Sequence, residues 1–388
     1  MKEIILKTIE QVGLELDELS RKIYEKPETA YEEVIACKLH AEFLEKYGFL
    51  VERNFCGIET GFKAEYDSGK PGLTVGIMAE YDALPGIGHG CGHNILGATS
   101  SGAGIALKSV INEIGGKVIV YGTPAEENNG AKMAYARKGA FDELDFAMMA
   151  HPNATYNKCS PMLALGPVSF EFHGKPSHAS AAPEEGRNAL DALILAMCGI
   201  NALRQQMKSS SRVHGIVVKG GEATNVIPDY ASAQFVVRSL TKTYNEELRE
   251  RVRNCARGAA LQTGTEVNFT DPDIYLDNMI SNRTMEQVFC DKMEELFDIK
   301  VEEPSEQTGS NDAGLLSKIC PFMHPMFGIC ADEKFAAHTE GFRDATLTDY
   351  AREQMRNTAA GLAMTAVEVM TDPKLFAKMK AEFESAEQ

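Results

Sequence analysis

Residues 73–94 read LTVGIMAEYDALPGIGHGCGHN and join a short apolar run to a loop that is rich in glycine and in metal-binding side chains. The run Leu73–Ala79 predicts a buried strand, because continuous apolar runs of this length are typical of strands covered on both faces. The stretch Ile95–Val110 that follows is rich in glycine, alanine and serine, and predicts a closely packed helix. Residues 73–110 therefore predict a strand, a site-forming loop and a helix in succession.

Helix and strand patterns alternate through the first third of the chain. An amphipathic segment from about Glu3 to Glu25 predicts one helix, and apolar side chains at every fourth position from Ile35 to Tyr47 predict the buried side of a second. Apolar runs at Gly61–Tyr66 and Lys117–Gly122 predict further strands. The order α-α-β-β-α-β-α-β predicts an α/β fold whose mixed, largely parallel sheet is flanked by helices. Sites in such sheets form beyond the carboxyl ends of the strands.

From about Leu165 the pattern changes to β-α-β-β-α-β, the order of a split, ferredoxin-like α+β unit. The predicted elements are the strand Val168–His173, the helix Ala189–Gln206, the strands Arg212–Val218 and Ala231–Arg238, the helix Asn245–Thr263 and the strand Glu266–Thr270. A chain of 388 residues is also long for a single core. We therefore predict a main domain in two segments, 1–164 and 278–388, interrupted by an inserted domain at 165–277.

The composition is that of a globular protein, with 44% apolar residues. No run approaches the roughly 18 apolar residues that a membrane helix needs, and the N-terminus lacks the pattern of a secretory signal. Nine cysteines without paired spacing argue against a disulfide framework and favour a reducing compartment. A net charge of −17 without a basic stripe disfavours nucleic acid as a partner. We therefore expect a cytoplasmic protein with neither a nucleic-acid nor a membrane partner.

The segment His89-Gly90-Cys91-Gly92-His93-Asn94 places three metal donors within five positions, between a predicted strand and a predicted helix. A thiolate and an imidazole are good ligands for zinc-like ions, and the glycines let the backbone fold closely around an ion. The alternative is a glycine-rich turn with an incidental pair of histidines. This segment alone therefore leaves the metal site as a hypothesis.

Glu126 and Glu127 follow the predicted strand Lys117–Gly122 through a Thr-Pro turn. One carboxylate of such a pair can bind a metal while its neighbour acts as the general base of a hydrolysis. The alternative is a solvated acidic pair ahead of a helix, where acidic side chains favour the N-terminal dipole. The pair by itself supports both interpretations equally.

Three further residues extend the candidate site. His151 ends the apolar run Phe146–Ala150, and His338 lies in a small-residue loop beyond the run Phe322–Ile329. Either histidine alone would also suit a structural role, because backbone groups readily satisfy a neutral imidazole. Asp82 could accept the second ring N–H of a ligating histidine, or it could be an ordinary aspartate in a turn before proline.

Taken together, these segments resemble the amidohydrolase branch of the aminoacylase/carboxypeptidase metallopeptidases over nearly the whole chain. The resemblance is carried by Glu80–Pro85, His89–Asn94, Gly122–Glu127, His151 and His338. Within that family the likeness is strongest to the Xaa-Arg (β-alanyl-lysine) dipeptidases and to the aminobenzoyl-glutamate hydrolases. Gly86–His89, Arg212–Ile216 and Ala359–Val369 carry the likeness to the dipeptidases.

The resemblance implies a zinc-peptidase-like catalytic domain with two divalent metal ions. Their protein ligands would be Cys91, His93, Glu127, His151 and His338. Cys91 would be a bridging or near-bridging ligand, and Glu126 would be the general base. Most relatives outside this branch have aspartate where Cys91 stands and histidine where Glu80 stands. The thiolate favours zinc, cobalt or nickel, with manganese as the remaining alternative.

The resemblance also identifies residues 165–277 as a lid and dimerisation domain, and so implies a homodimer. His178 would reach an active site across the dimer and stabilise the oxyanion of the tetrahedral intermediate. Asn225 and Arg238 match positions that hold a substrate carboxylate, which the planar fork of arginine suits. Without the resemblance, Arg238 would equally be an edge-strand arginine in a surface ion pair. Residues 310–312 match a loop that lines the cleft in the family.

The function predicted from the sequence is metal-dependent hydrolysis of an amide or peptide bond in a dipeptide or N-acyl amino acid with a free carboxylate. One alternative is an amidohydrolase of N-acyl amino acids or of aminobenzoyl-glutamate. The other, from a different class, is an inactive relative that binds a metal or a ligand in the cleft.

Overall fold

The computed structural model describes residues 1–128, 130–272, 274–304 and 309–386. The chain forms two compact units. The first contains Met1–Pro161 and two later segments that begin at Ile280 and Leu315, and the second contains Met162–Met279 and Gly309–Gly314. Within the described residues, no helix combines the length and the apolar character that crossing a membrane requires.

Each unit has its own set of helices and strands. The first unit opens with α1 (Lys2–Tyr24), α2 (Val34–Lys46), β1 (Leu50–Arg53), β2 (Phe62–Asp67), β3 (Thr74–Ala79), α3 (His93–Ile114), β4 (Lys117–Gly122), α4 (Ala131–Arg137), β5 (Phe146–Met148) and β6 (His151–Asn153). The second unit contains β7 (Ala164–His173), α5 (Ala189–Leu203), β8 (Arg212–Lys219), β9 (Tyr230–Ser239), α6 (Lys242–Thr263) and β10 (Glu266–Phe269). The first unit closes with α7 (Arg283–Phe297), β11 (Phe322–Met323), β12 (Met326–Gly328), α8 (Glu340–Ala345), α9 (Asp349–Thr371) and α10 (Pro373–Ser385).

The first unit is built on a six-stranded mixed sheet in the order β1-β2-β4-β3-β5-β11. Strands β4, β3, β5 and β11 are parallel, while β1 and β2 form an antiparallel edge. The central strands β3 and β4 are almost entirely buried, as their continuous apolar sequences require. The predicted fold class, a mixed sheet flanked by helices, is confirmed.

Helix α3 packs against β3 and β4, and its other sides pack against α1 and α9. Small residues make this close approach possible: a Cβ atom on Gly97 would lie 2.7 Å from the carbonyl oxygen of Glu80, and one on Gly104 would lie 2.5 Å from Val120. The predicted packed helix is therefore confirmed. Its first residue, His93, follows directly on the loop beyond β3.

Two details of the first unit differ from the sequence predictions. Strand β1 was not predicted, because it is an exposed edge strand without an apolar run. In α2, the row of every fourth residue from Ile35 is only partly buried, since Ile35 is 42% exposed whereas Phe43 is buried. The buried stripe of α2 contains Ala36, Cys37, His40, Ala41, Phe43 and Leu44. A helical stripe alternates steps of three and four residues, and a strict step of four drifts off it.

The second unit is a four-stranded antiparallel sheet in the order β10-β7-β9-β8, with α5 and α6 packed against it. Its elements follow the predicted β-α-β-β-α-β order, so the ferredoxin-like class is confirmed. Phe170, Phe172 and Phe235 lie in its core. Strand β8 is at the edge of the sheet, and seven of its eight residues are exposed, including Ile216, Val217 and Val218.

Candidate metal centre

The carboxyl ends of β3, β4 and β5 lie at the same edge of the sheet because these strands are parallel. Asp82 follows β3, the pair Glu126-Glu127 follows β4, and His151 follows β5. Five predicted ligands meet at this edge, and they are Cys91, His93, Glu127, His151 and His338. All of them belong to the first unit.

The first group of potential ligands is Cys91, His93 and His151. Their donor atoms lie within 4.8 Å of one another. The Cys91 Sγ atom is 3.5 Å from the Nε2 atom of His151, and the two histidine rings are nearly perpendicular with centroids 5.5 Å apart. This spacing suits three ligands of one ion.

The second group is Cys91, Glu127 and His338, again with donor atoms within 4.8 Å of one another. The Nε2 atom of His338 is 3.3 Å from the Oε1 atom of Glu127. The backbone N–H of His338 donates to the carbonyl oxygen of Gly90 at 2.8 Å, which fixes the His338 loop beside the cysteine segment. Cys91 belongs to both groups, so a thiolate there would face two ion positions.

The chemistry of these side chains fits divalent cations. Burial raises the pKa of the Cys91 thiol well above its usual range, so a thiolate at this position needs a nearby cation. Burial also lowers the pKa of His151 to about 3, which keeps its imidazole neutral, as a ligand must be. The His93 Nε2 and Glu127 Oε1 atoms are buried, and among the described residues neither makes a hydrogen bond of good geometry, although each has an oppositely charged group 3.3 Å away. Buried polar atoms are rarely left unsatisfied, and a metal would satisfy both.

Asp82 holds two of the ligand segments with its two carboxylate oxygens. Its Oδ1 atom is 2.9 Å from the Nδ1 atom of His93, and its Oδ2 atom accepts the backbone N–H of Glu127 at 3.0 Å. Because Asp82 engages Nδ1, the Nε2 atom of His93 is the nitrogen that faces the cluster. Burial would raise the pKa of Asp82, but His93, the backbone N–H of Glu127 and the charge of Lys132 together outweigh it and lower the pKa.

Glu126 is the neighbour of the predicted ligand Glu127 but belongs to neither of the groups that contain Cys91. Its Oε2 atom lies 3.9 Å from the Nε2 atom of His93. The preceding residue, Ala125, has a φ of 64°, a left-handed conformation that costs a residue other than glycine about 1–2 kcal/mol. This turn directs two adjacent carboxylates to different parts of the site.

Glu33 stabilises that turn and was not predicted from the sequence. Its Oε1 atom accepts the backbone N–H of Ala125 at 2.8 Å, and its side chain is fully buried. Burial raises the pKa of Glu33 to about 7. The contact spans 92 residues, so no local motif could have revealed it.

Glu80, Lys132 and His324 also lie at the centre, and all three are buried. The Oε2 atom of Glu80 is 3.3 Å from the Nε2 atom of His93, and its Oε1 atom is 2.7 Å from the Nζ atom of Lys132. The ring of His324 lies 5.7 Å from that of His151, and burial lowers the pKa of His324 to about 4. None of the three was assigned a role from the sequence, because nothing near Lys132 or His324 along the chain resembles a metal motif.

The remaining predicted site residues belong to the second unit. His178 and Asn225 lie on paired segments, since the N–H of Ala179 donates to the carbonyl oxygen of Asn225 at 3.0 Å. Arg238 lies on β9, where its Nη1 atom donates to the Ser310 hydroxyl at 3.0 Å. Burial lowers the pKa of Arg238.

A mixed α/β sheet with metal-ligand groups at its strand ends, interrupted by a ferredoxin-like unit, defines a class of two-domain metallohydrolases. Comparison with known families agrees with this class, because residues 165–263 match the M20 peptidase dimerisation domain. The chain is 36% identical to the Xaa-Arg dipeptidase of Mus musculus over 99% of this chain and 92% of that protein. It is 35% identical to one of the p-aminobenzoyl-glutamate hydrolase subunits of Escherichia coli over 69% of this chain and 60% of that protein.

Solved structures show the same fold. A putative aminohydrolase from Staphylococcus aureus has a TM-score of 0.81 at 22% identity, covering 94% of this chain and 99% of that one. A dinuclear metal-binding peptidase of the M20 family from Bacillus subtilis has a TM-score of 0.73 at 20% identity, covering 93% and 100%. The chain therefore belongs to the M20 family of metallopeptidases, in its amidohydrolase branch. It is a hydrolase of amide or peptide bonds, as predicted.

The first prediction concerns the hydrogen bond from the backbone N–H of Ala125 to the Glu33 carboxylate. Glu33→Leu removes the acceptor and leaves a buried N–H unpaired, whereas Glu33→Gln keeps an acceptor oxygen. We expect Glu33→Leu to lower kcat roughly tenfold or more, because small displacements of catalytic groups are costly. KM and metal content should stay near those of the wild type, and Glu33→Gln should retain most of the activity. Steady-state kinetics and metal analysis measure these effects, and an unchanged kcat in Glu33→Leu would exclude the positioning role.

Proposed function

We propose that Cys91, His93, Glu127, His151 and His338 hold two divalent metal ions, with Cys91 between the two positions. The observation that carries this proposal is the membership of Cys91 in both groups of donor atoms. Zinc is the metal we propose, since thiolate and imidazole donors suit it well. Cobalt and nickel accept the same donors, and manganese is the carboxylate-preferring alternative.

Glu126 is the proposed general base. Divalent ions at this centre would polarise the amide carbonyl and lower the pKa of the attacking water. Glu126 takes the proton from that water and returns it to the leaving nitrogen, which balances the hydrolysis. Its position beside His93, outside both cysteine-containing groups, supports this role.

His178 is proposed to stabilise the negative charge that develops on the carbonyl oxygen. Its Nδ1 atom accepts the backbone N–H groups of Ser180 at 3.3 Å and Ala181 at 3.2 Å. The proton of the neutral imidazole is therefore on Nε2, which makes that atom a hydrogen-bond donor. A donor aimed at a developing oxyanion is worth several kcal/mol of barrier in other enzymes, about 3–4 kcal/mol in measured cases.

Asn225 and Arg238 are proposed to bind a free carboxylate of the substrate. Among the described residues, no carboxylate lies within salt-bridge distance of Arg238, which argues against a structural ion pair. A half-buried guanidinium without an anionic partner suits a substrate carboxylate.

The proposed substrate is a dipeptide, since the chain matches the Xaa-Arg dipeptidase of Mus musculus over nearly its full length. The second candidate is an N-acyl amino acid or aminobenzoyl-glutamate, which the similarity to the Escherichia coli hydrolase favours. Substrates of both kinds carry a free carboxylate.

We also propose a homodimer formed through the second unit. An exposed edge strand with apolar side chains is a template for pairing with another chain, and β8 is such a strand. The match to a dimerisation domain over residues 165–263 supports the same assembly. We further propose a cytoplasmic location, because all nine cysteines are free and unpaired cysteines are typical of reducing compartments.

The second prediction separates the base from a ligand. Glu126→Gln should leave metal content near the wild-type level while kcat falls by about 10²–10⁴-fold, the usual contribution of a general base. Cys91→Ala should instead lower the metal content, and Cys198→Ala, at an exposed cysteine, should change neither. Elemental analysis and kinetics on the same preparations measure both effects. An active Glu126→Gln variant would refute the role of the base.

The third prediction concerns the substrate carboxylate. β-Alanyl-lysine-type dipeptides and acyl amino acids should be cleaved with a kcat/KM roughly 10–100-fold above that of their C-terminal amides, since a hydrogen bond to a charged group contributes about 1.5–3 kcal/mol. Arg238→Met should remove this preference by slowing only the carboxylate substrates. Equal cleavage of acid and amide by the wild type would contradict the proposed binding mode.

The fourth prediction concerns assembly. Sedimentation should give the mass of a dimer for the wild type. The double substitution Ile216→Lys and Val218→Lys on β8 should shift the protein to monomers, because charges on an edge strand oppose pairing. Leu261→Lys, at an exposed apolar position of α6, is the control and should remain dimeric. A dimer that survives both β8 substitutions would mean that another surface forms the interface.

A further inference from the structure

A buried ion pair lies at the metal centre but outside the proposed ligand set. Lys132, near the start of α4, and Glu80, directly after β3, are both fully buried, and Nζ lies 2.7 Å from Oε1. Lysine is almost never buried completely unless it is paired. A cation in the first turn of a helix is also unfavourable for the helix dipole. Lys132 therefore does not stabilise the helix through the helix dipole. We attribute its buried position to its interaction with the metal centre.

The second oxygen of Glu80 faces the ligand cluster. Oε2 lies 3.3 Å from the Nε2 atom of His93, the nitrogen left for a metal because Asp82 engages Nδ1 at 2.9 Å. Donor atoms of Glu80, His93 and Glu126 lie within 4.8 Å of one another. Lys132 thus holds the Oε1 atom of Glu80, while the Oε2 atom of Glu80 lies beside the His93 nitrogen that faces the proposed metal position.

The charges of the side chains at the metal centre explain why Glu80 is paired with a buried lysine. Five side chains at this centre carry a negative charge when they are ionised, and they are Glu80, Asp82, Cys91, Glu126 and Glu127. Two divalent cations supply four positive charges, and Lys132 supplies the fifth. Uncompensated buried charge is strongly unfavourable, so a site with this many anions benefits from a built-in cation.

We infer that Glu80 and Lys132 form a charge-compensating pair that sets the affinity of the metal position at His93. This inference rests on the proposed two-metal site. Glu80 is a further carboxylate that faces this position, and it attracts the cation. Lys132 is a positioning residue: it restrains Glu80 through Oε1 and repels the cation. Removing Glu80 therefore weakens metal binding at the His93 position, and removing Lys132 strengthens it.

The test is a competition titration of each variant with zinc and a chromophoric chelator, which yields the affinities of both sites without measuring catalysis. Glu80→Gln should weaken one site by about tenfold or more and change the other little, because the effect of a charge falls off with distance. Lys132→Met should tighten the same site, and the double variant should return towards the wild type. Lys63→Met, which removes a lysine paired with Glu143, is the matched control and should leave both affinities unchanged.

The reference variant Cys91→Ala separates the two ways in which this inference can fail. If Cys91→Ala still binds zinc at both sites with wild-type affinity, the proposed metal centre itself is wrong. If Cys91→Ala loses zinc but Glu80→Gln keeps both wild-type affinities, the centre stands and the pair is only a structural ion pair. Glu80→Gln has nearly the shape of the native side chain, so it decides the question even if Lys132→Met fails to fold.

Discussion

The carboxylate of Asp82 ties together two segments that are far apart in the chain. One oxygen engages the Nδ1 atom of His93 at the start of α3, and the other accepts the backbone N–H of Glu127 beyond β4. Asp82 follows β3, the strand that lies between β4 and β5 in the sheet. The predicted ligands therefore keep their spacing only while the sheet keeps its register and α3 stays close to it. Gly97 permits that closeness, because any side chain there would collide with the backbone of Glu80.

Burial has opposite effects on the charged and neutral members of the centre. It favours neutral imidazoles at His151 and His324, whose pKa values fall to about 3 and about 4. It opposes a thiolate at Cys91, whose pKa rises. A site of this kind is electrostatically incomplete as a set of side chains, and divalent cations complete it. The pair of Glu80 and Lys132 is part of the same balance of charge. Glu80 adds a carboxylate that faces the metal position, and Lys132 adds the positive charge that compensates it.

The sequence predicted the fold class and the segments of the centre better than the supporting contacts. Cys91 and His93 stand out because they share one short loop, and the joint order of the other segments identified the family. Glu33 and Lys132 could not be found in this way, since their partners lie 92 and 52 residues away along the chain and only the folded sheet brings them together. The edge strand β1 was missed for a related reason: its residues are exposed and leave no apolar pattern.

Adjacent carboxylates with different environments need a backbone that makes them diverge. Ala125 takes up a left-handed conformation just before Glu126, and Glu33 accepts its N–H. Two residues later the N–H of Glu127 is fixed by Asp82. With both sides of the turn held, Glu127 points to Cys91 and His338, while Glu126 lies near His93 and outside that group. The strain at Ala125 is thus offset by bonds on both sides, and it separates two chemically identical groups into different surroundings.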